Sequence, residues 1–190
     1  MNNSLSPQQV AQDVVATHVR TLPEVMDLAN LFSQAGFELA IVGGPVRDFI
    51  LGREVTDLDF TTNATPDQII QLTTGWADNI WDIGIEFGTV GIRRAELTFE
   101  ITTYRAEKYD ATSRKPEVCF GTSIVDDLER RDFTINSMAV ALPSFDFIDP
   151  FDGISDLMRK VIRTPREAQK SFDDDPLRIM RAARFASQLE

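Results

Sequence analysis

Cationic side chains are scarce in this chain: 19 lysines and arginines stand against 30 aspartates and glutamates, for a formal net charge of −11. Backbone binding of nucleic acid calls for a basic face, so this composition excludes a tight hold on RNA by these 190 residues alone. Either the substrate is not nucleic acid, or the basic grip lies on a part of the protein beyond them. Cysteine is nearly absent. Cys119 is the only one, which excludes an internal disulfide and fits a reducing cytosol. The single histidine, His18, falls in an early helix and reads as structural or solvent-exposed. No apolar run approaches the roughly 20 residues that span a bilayer. Met1-Asn2-Asn3-Ser4 has neither the basic start nor the apolar stretch of a signal peptide. A soluble, cytoplasmic protein without repeats or low-complexity tracts is expected.

What is present has the length of one well-buried domain, or of one domain and the start of another. Residues 6–34 read as two helices broken near Thr21-Leu22-Pro23. Phe37–Val42 reads as a strand running into Gly43-Gly44, with Pro45 as the first residue of a short helix that Gly52 stops. Strands are expected at Val55–Thr61, Ile80–Ile83, Thr89–Arg93 and Leu97–Tyr104. Thr65-Pro66-Asp67-Gln68 should open a helix with a reciprocal cap. Arg105–Ser123 reads as a long loop. Beyond it come a helix near Ile124, a strand pair at Ser137–Leu142 and Phe147–Asp149, and mostly helix from Ile154. Leu177, Met180, Phe185 and Leu189 keep a helical period to the last residue, as a domain with more chain to follow would. Trp76 and Trp81 read as core, and Cys119 lacks a partner for thiol chemistry. The fold class is mixed α/β with a helical C-terminal extension.

Four segments could carry chemistry. Asp57 and Asp59, two apart on a strand, share one face at roughly 6–7 Å. That spacing suits a pair of divalent metals as in two-metal phosphoryl transfer, although an isolated Asp-x-Asp is often only a solvated strand edge. Here it follows Gly43-Gly44 at a helix start, where backbone N–H groups suit phosphate. Glu100, sharing a face with Thr98 and Thr102, is either a third carboxylate for metal or an exposed strand residue. Arg130-Arg131-Asp132-Phe133-Thr134-Ile135-Asn136 offers guanidinium groups for triphosphate oxygens and Asp or Asn for ribose hydroxyls; the plain alternative is a helix C-terminus with dipole-complementing arginines. Asp175-Pro176-Leu177-Arg178 combines a helix cap with an arginine, and Arg178, Arg181 and Arg184 recur on one helical face. A carboxylate beside a guanidinium complements the amino donor and ring-nitrogen acceptor that cytosine and adenine share. Uracil and guanine present a carbonyl instead.

In this order, these segments resemble the head of the class II tRNA nucleotidyltransferases and bacterial poly(A) polymerases. The likeness runs from Phe37 to Glu190 through Val42–Asp48, Leu51-Gly52, Asp57–Phe60, Phe87–Val90, Glu100–Arg105, Arg130–Asn136, Asp149–Gly153 and Asp175–Arg178 with Arg181–Phe185. It implies a nucleotidyltransferase-type sheet with flanking helices, with N-terminal helices over residues 1–35, the catalytic head over 36–150 and the start of a helical neck over 151–190. It also implies transfer of CMP and AMP from CTP and ATP to a tRNA 3′ end. By resemblance Asp57 and Asp59 hold Mg²⁺, with Glu100 a weaker third ligand; Gly43, Gly44 and Arg47 lie at the triphosphate. Arg131, Asp132 and Asn136 serve triphosphate and ribose, and Asp175 with Arg178 reads the base. Three positions depart from the pattern: Pro45 replaces a small residue or cysteine, Phe87 a histidine, and Asp174 a glutamate. A poly(A) polymerase, a C-only or A-only enzyme, or a non-catalytic nucleotide-binding module are the alternative readings.

Overall fold

The computed structural model describes residues 5–81, 87–108, 117–121 and 123–189. The two N-terminal helices, α1 (Pro7–Arg20) and α2 (Pro23–Gln34), each begin on proline. Ser6 closes a capping box with Gln9 at the start of α1. Strand β1 (Leu39–Val42) leads into α3 (Gly44–Ile50), where Pro45 is the second helical residue rather than the first. Gly52, at φ 68°, takes the left-handed turn that ends this helix. Next come β2 (Asp57–Thr62) and α4 (Pro66–Thr73), the latter capped reciprocally by Thr65 and Gln68 as its sequence predicts. Strands β3 (Asn79–Trp81), β4 (Thr89–Arg94) and β5 (Leu97–Thr103) follow. Ile83, the expected end of β3, lies outside the described residues.

One expectation fails in this region. Arg105–Ser123 is not a plain loop: β6 (Arg105–Lys108) and β7 (Glu117–Phe120) pair as an antiparallel two-stranded ribbon, while residues 109–116 fall outside the described ones. The side chain of Cys119 does so as well. The chain continues through α5 (Ile124–Glu129), a 3-10 turn over Thr134–Asn136, β8 (Ala139–Leu142) and β9 (Phe147–Ile148). It ends in α6 (Gly153–Arg159), α7 (Ala168–Asp174) and α8 (Leu177–Gln188). Asp149 fixes the start of α6 by accepting N–H groups from Gly153 at 2.6 Å and Ile154 at 3.0 Å.

Seven strands form one mixed sheet in the order β3-β4-β5-β2-β1-β8-β9, with β2 and β5 parallel and the other pairs antiparallel. Alternation along β2 and β5 separates the two faces of the sheet. Leu58, Phe60, Phe99 and Ile101 enter a single core with Val15, Val19, Leu28 and Phe32, so α1 and α2 belong to the same packed unit as the sheet. On the opposite face, Leu128 of α5 packs on Ala40, Val42 and Ala139. Asp57, Asp59 and Glu100 lie on that second face, where α5 leaves room. The tryptophans are half-buried rather than core. Trp76 meets Phe99 edge-on at 5.7 Å, and Trp81 lies against Gly91, where a Cβ would come within 2.1 Å of the indole nitrogen. His18 is structural, stacked on Phe49 at 5.2 Å. Among the described residues no helix is long and apolar enough to cross a membrane.

Candidate active site

Two helix ends, one strand and a tight turn meet at a cavity of about 460 Å³. Its walls include Gly43, Gly44, Arg47, Asp59, Arg131, Asp132, Asn136, Asp175 and Arg178. Of the residues to which the resemblance gives a site role, Asp57 and Glu100 are not on this wall, and neither is Arg130. Asp57 is exposed two residues before Asp59 on the same strand face, and Glu100 sits opposite Asp59 in the β2–β5 register.

Gly43 occupies φ 74°, and a Cβ there would stand 2.9 Å from Arg131 Nη1. Both constraints call for glycine. Its N–H donates to Met138 O at 3.1 Å, which fixes the turn between β1 and α3. Arg47, one turn into α3, is nearly buried and donates through Nη1 to Asn136 Oδ1. Its Nε and Nη2 engage Asp48 at 3.1 and 2.8 Å. Asn136 in turn donates through Nδ2 to Asp132 Oδ1 at 3.0 Å, and that oxygen also accepts Phe133 N–H at 2.8 Å. The sequence segment Arg131–Asn136 therefore folds back on itself, and its polar groups are held before any ligand arrives.

Asp59 is half-buried, and burial is the largest of the influences that lift its carboxyl from 3.8 to about 6. The carboxylates of Glu100 and Asp57 push in the same direction, whereas Arg131 opposes them. Hard oxygen donors crowded on one strand face suit a hard divalent cation. Among the described residues, no group of three or more His, Cys, Asp or Glu is already gathered to hold a metal; the acids on this face of the sheet are Asp57 and Asp59 on β2 and Glu100 on β5.

On the far wall, Arg178 is tied down through both terminal nitrogens. Nη1 donates to Ser171 Oγ, and Nη2 donates to the Arg130 carbonyl at 2.8 Å. Its Nε lies 4.0 Å from Asp175 Oδ2. Asp175 is not the cap of α8 that its sequence suggests: α8 begins at Leu177, Pro176 holds the cap position, and Asp175 accepts Leu177 N–H at 3.0 Å from one residue further out.

Two residues have contacts that a reading of the sequence does not reveal, Asp127 and Phe185. Asp127, only 2% exposed, accepts from Thr61 Oγ1 at 3.2 Å, Arg131 Nη2 at 3.2 Å and Arg105 N–H at 3.2 Å. Its signal was available only as an acid four residues before Arg131. Phe185 fills the cavity floor beneath three guanidinium groups, Arg47, Arg181 and Arg184, at 5.1, 5.6 and 4.9 Å from the ring centre. The regular spacing of Arg178, Arg181 and Arg184 hints at this face without revealing the ring between them.

Chemically, the cavity offers fixed guanidinium donors, amide and carboxylate groups, and the Asp59 carboxylate at its edge. The poly A polymerase head domain matches residues 39–163. The chain is 44% identical over 173 residues to the CCA-adding enzyme of Levilactobacillus brevis, covering 88% of this chain and 42% of that protein. The crystal structure of the Bacillus stearothermophilus CCA-adding enzyme in complex with CTP aligns with a TM-score of 0.76 at 36% identity, covering 87% of this chain and 38% of the other. The Thermotoga maritima CCA-adding enzyme complexed with tRNA aligns with a TM-score of 0.69 at 28% identity, over 90% of this chain and 39% of that one. The chain thus spans about two fifths of the length of the relatives it matches. It belongs to the poly A polymerase head domain family.

Proposed function

We propose that this chain is the catalytic head of a template-independent nucleotidyltransferase that adds CMP and AMP, from CTP and ATP, to the 3′ end of tRNA with release of pyrophosphate. The observation that carries this reading is the convergence of Arg47, Arg131, Asp132, Asn136, Asp175 and Arg178 on one cavity that has Asp59 at its edge. CCA-adding relatives solved with CTP and with tRNA support the substrate class. Within this reading residues 36–150 are the head and residues 1–35 the N-terminal helical part, whose α1 and α2 brace the sheet, and residues 151–190 begin a helical neck.

The acceptor hydroxyl attacks the α-phosphorus in line, and the pyrophosphate leaves on the opposite side. Arg47 and Arg131 meet the triphosphate oxygens with charge-assisted hydrogen bonds and offset the charge that builds up in the transition state. The turn after Gly43 lets the chain approach the phosphates closely. Asp132 and Asn136 accept and donate at the ribose hydroxyls. Asp175 and Arg178 present an acceptor and a donor to the amino group and ring nitrogen that cytosine and adenine share. Mg²⁺ fits Asp57 and Asp59, with Glu100 beside them, and when bound supplies charge neutralisation and a lower pKa for the attacking hydroxyl.

The test is single-turnover extension of an acceptor RNA lacking its terminal CCA, with the protein in excess. Incorporation of C and then A, dependent on Mg²⁺ and lost in Asp57→Asn and Asp59→Asn, is expected. Undiminished transfer by either variant would contradict the assignment. The family match to poly A polymerase heads favours one second reading, a poly(A) or single-nucleotide-adding enzyme. Incorporation of A alone, in a run, would select it.

A further inference from the structure

Asp132 and Asn136 line the cavity, but Thr134 between them is fully buried and engages α6 instead. The three residues belong to or border a 3-10 turn over Thr134–Asn136. Its internal bonds are few: Asn136 N–H donates to Phe133 O and Ser137 N–H to Thr134 O, each at 2.9 Å. So short a turn, with the poorer bond geometry of its class, does not hold its own place. Its position is set from outside.

The segment from Gly153 to Arg163 supplies that hold, and it meets Thr134 at three points. Asp156, 1% exposed, accepts the Thr134 hydroxyl through Oδ2 at 2.7 Å. The Thr134 N–H donates to the Arg163 carbonyl at 2.8 Å. The Thr134 carbonyl lies against Gly153, where a Cβ would come within 2.2 Å of its oxygen. A buried carboxylate needs partners for its charge, and Asp156 has two. Arg159 Nη2 donates to Oδ1 at 3.1 Å and Arg163 Nε to Oδ2 at 2.8 Å, both arginines reaching in from exposed positions. Thr134 is the contact that Asp156 makes toward the site. Neither residue lies on the cavity wall.

We propose that Asp156 is a positioning residue for nucleotide binding, acting through Thr134 to hold the turn where Asp132 and Asn136 meet the ribose hydroxyls. The proposal rests on the nucleotide reading of the cavity. Of the three holds on Thr134, the bond to Asp156 is the charge-assisted one and so the strongest. Asn136 also accepts from Arg47, so a turn that slips weakens the triphosphate end as well. Asp175 and Arg178 have other partners, Leu177, Ser171 and the Arg130 carbonyl, so the choice of base does not follow the turn.

The test is calorimetric titration with CTP, 2′-deoxy-CTP and UTP in Mg²⁺. Thr134→Val keeps the side-chain volume and leaves Asp156 paired with both arginines, so it removes only the hydroxyl. It should weaken CTP binding about tenfold and 2′-deoxy-CTP binding only about twofold, narrowing the ribose preference several-fold. The preference for CTP over UTP should be unchanged. Thr134→Ser, which keeps the hydroxyl, should restore both affinity and ribose preference. Asp156→Asn keeps an acceptor without the charge and should narrow the preference by less. Adding it to Thr134→Val should narrow the preference no further, because both act through one bond. A general loosening of the fold would instead weaken all three nucleotides alike. That result, an unchanged ratio of CTP to 2′-deoxy-CTP affinity in Thr134→Val, or further narrowing in the double variant would overturn the proposal, while CTP binding by the unaltered chain still upheld the nucleotide reading. No CTP binding by the unaltered chain would overturn both.

Discussion

Arg181 grips Asp132 through two donors on one oxygen, with Nε at 2.7 Å and Nη2 at 2.6 Å from Oδ2. This contact starts a closed circuit of side chains. Asp132 holds Asn136, Asn136 holds Arg47, Arg47 holds Asp48, and Asp48 holds Arg53 at 3.2 Å. Arg53 then returns to the carbonyl of Gln188 at 2.7 Å, at the other end of α8. Phe185 sits inside the circuit, 4% exposed and edge-on to Phe133 at 5.9 Å. The helix that carries Arg178 is thus latched to the turn that carries Asp132 and Asn136.

Breaking this latch should loosen α8 before the rest of the fold. Arg181→Ala is expected to speed amide exchange across Leu177–Gln188 and to lower nucleotide affinity, while β1 and β2 keep their protection. Exchange mass spectrometry checks it; unchanged protection of α8 would mean that Phe185 alone seats the helix.

The raised pKa of Asp59 has a stability consequence. The folded protein holds this proton more tightly than the unfolded chain does. The group's contribution is therefore most favourable below pH 3.8 and is lost as pH climbs through about 6. Above that, the ionised carboxylate costs roughly 2–3 kcal/mol in the metal-free protein. Asp59→Asn should accordingly be more stable than the parent at pH 8 without metal, and the gap should close at pH 4 or on adding Mg²⁺ to the parent. Urea denaturation at the two pH values measures this, and equal stabilities at pH 8 would count against it.

Gly43 and Gly44 are adjacent but not equivalent. Gly43→Ala forces a side chain into φ 74° and against Arg131 Nη1, whereas a Cβ on Gly44 meets Arg47 Nη2 at an ordinary 3.9 Å. The first substitution should cost on the order of 1–3 kcal/mol and displace Arg131, weakening nucleotide binding at least tenfold. The second should cost less than about 1 kcal/mol. Denaturant midpoints for the two variants decide the matter, and equal losses would contradict the asymmetry.

Much of this architecture is legible in the sequence, for local reasons. Ser6 with Gln9 and Thr65 with Gln68 mark helix starts within four residues, and alternation along Asp57–Phe60 and Phe99–Ile101 assigns strand faces without any tertiary knowledge. Most residues that line the main cavity, from Gly43 to Arg178, could be named from motif and chemistry. What stayed hidden depends on distant partners. Asp132 meets Arg181 from 49 positions away, and Asp127 meets Thr61 from 66. The β6–β7 ribbon is not legible because Arg105-Ala106-Glu107-Lys108, mostly charged, and Glu117-Val118-Cys119-Phe120, an apolar run after one acid, give no clean period of two.

Asp127 offers a test of that hidden layer. Removing a buried carboxylate between arginines should be strongly destabilising, about 3–5 kcal/mol for Asp127→Ala. Asp127→Asn keeps the volume and an acceptor oxygen and should fold, yet release Arg131 and reduce affinity for CTP and ATP alike, without changing the preference between bases. A shift in base preference would place Asp127 in recognition rather than in positioning Arg131.

The most direct test of the central claim is calorimetric titration of the chain with CTP, ATP, UTP and GTP, with and without Mg²⁺, repeated on Arg178→Ala. The account predicts Mg²⁺-dependent binding of CTP and ATP over UTP and GTP, and loss of that preference in the variant with metal dependence retained. Equal binding of all four nucleotides by the parent chain, or an unchanged preference in Arg178→Ala, would contradict it.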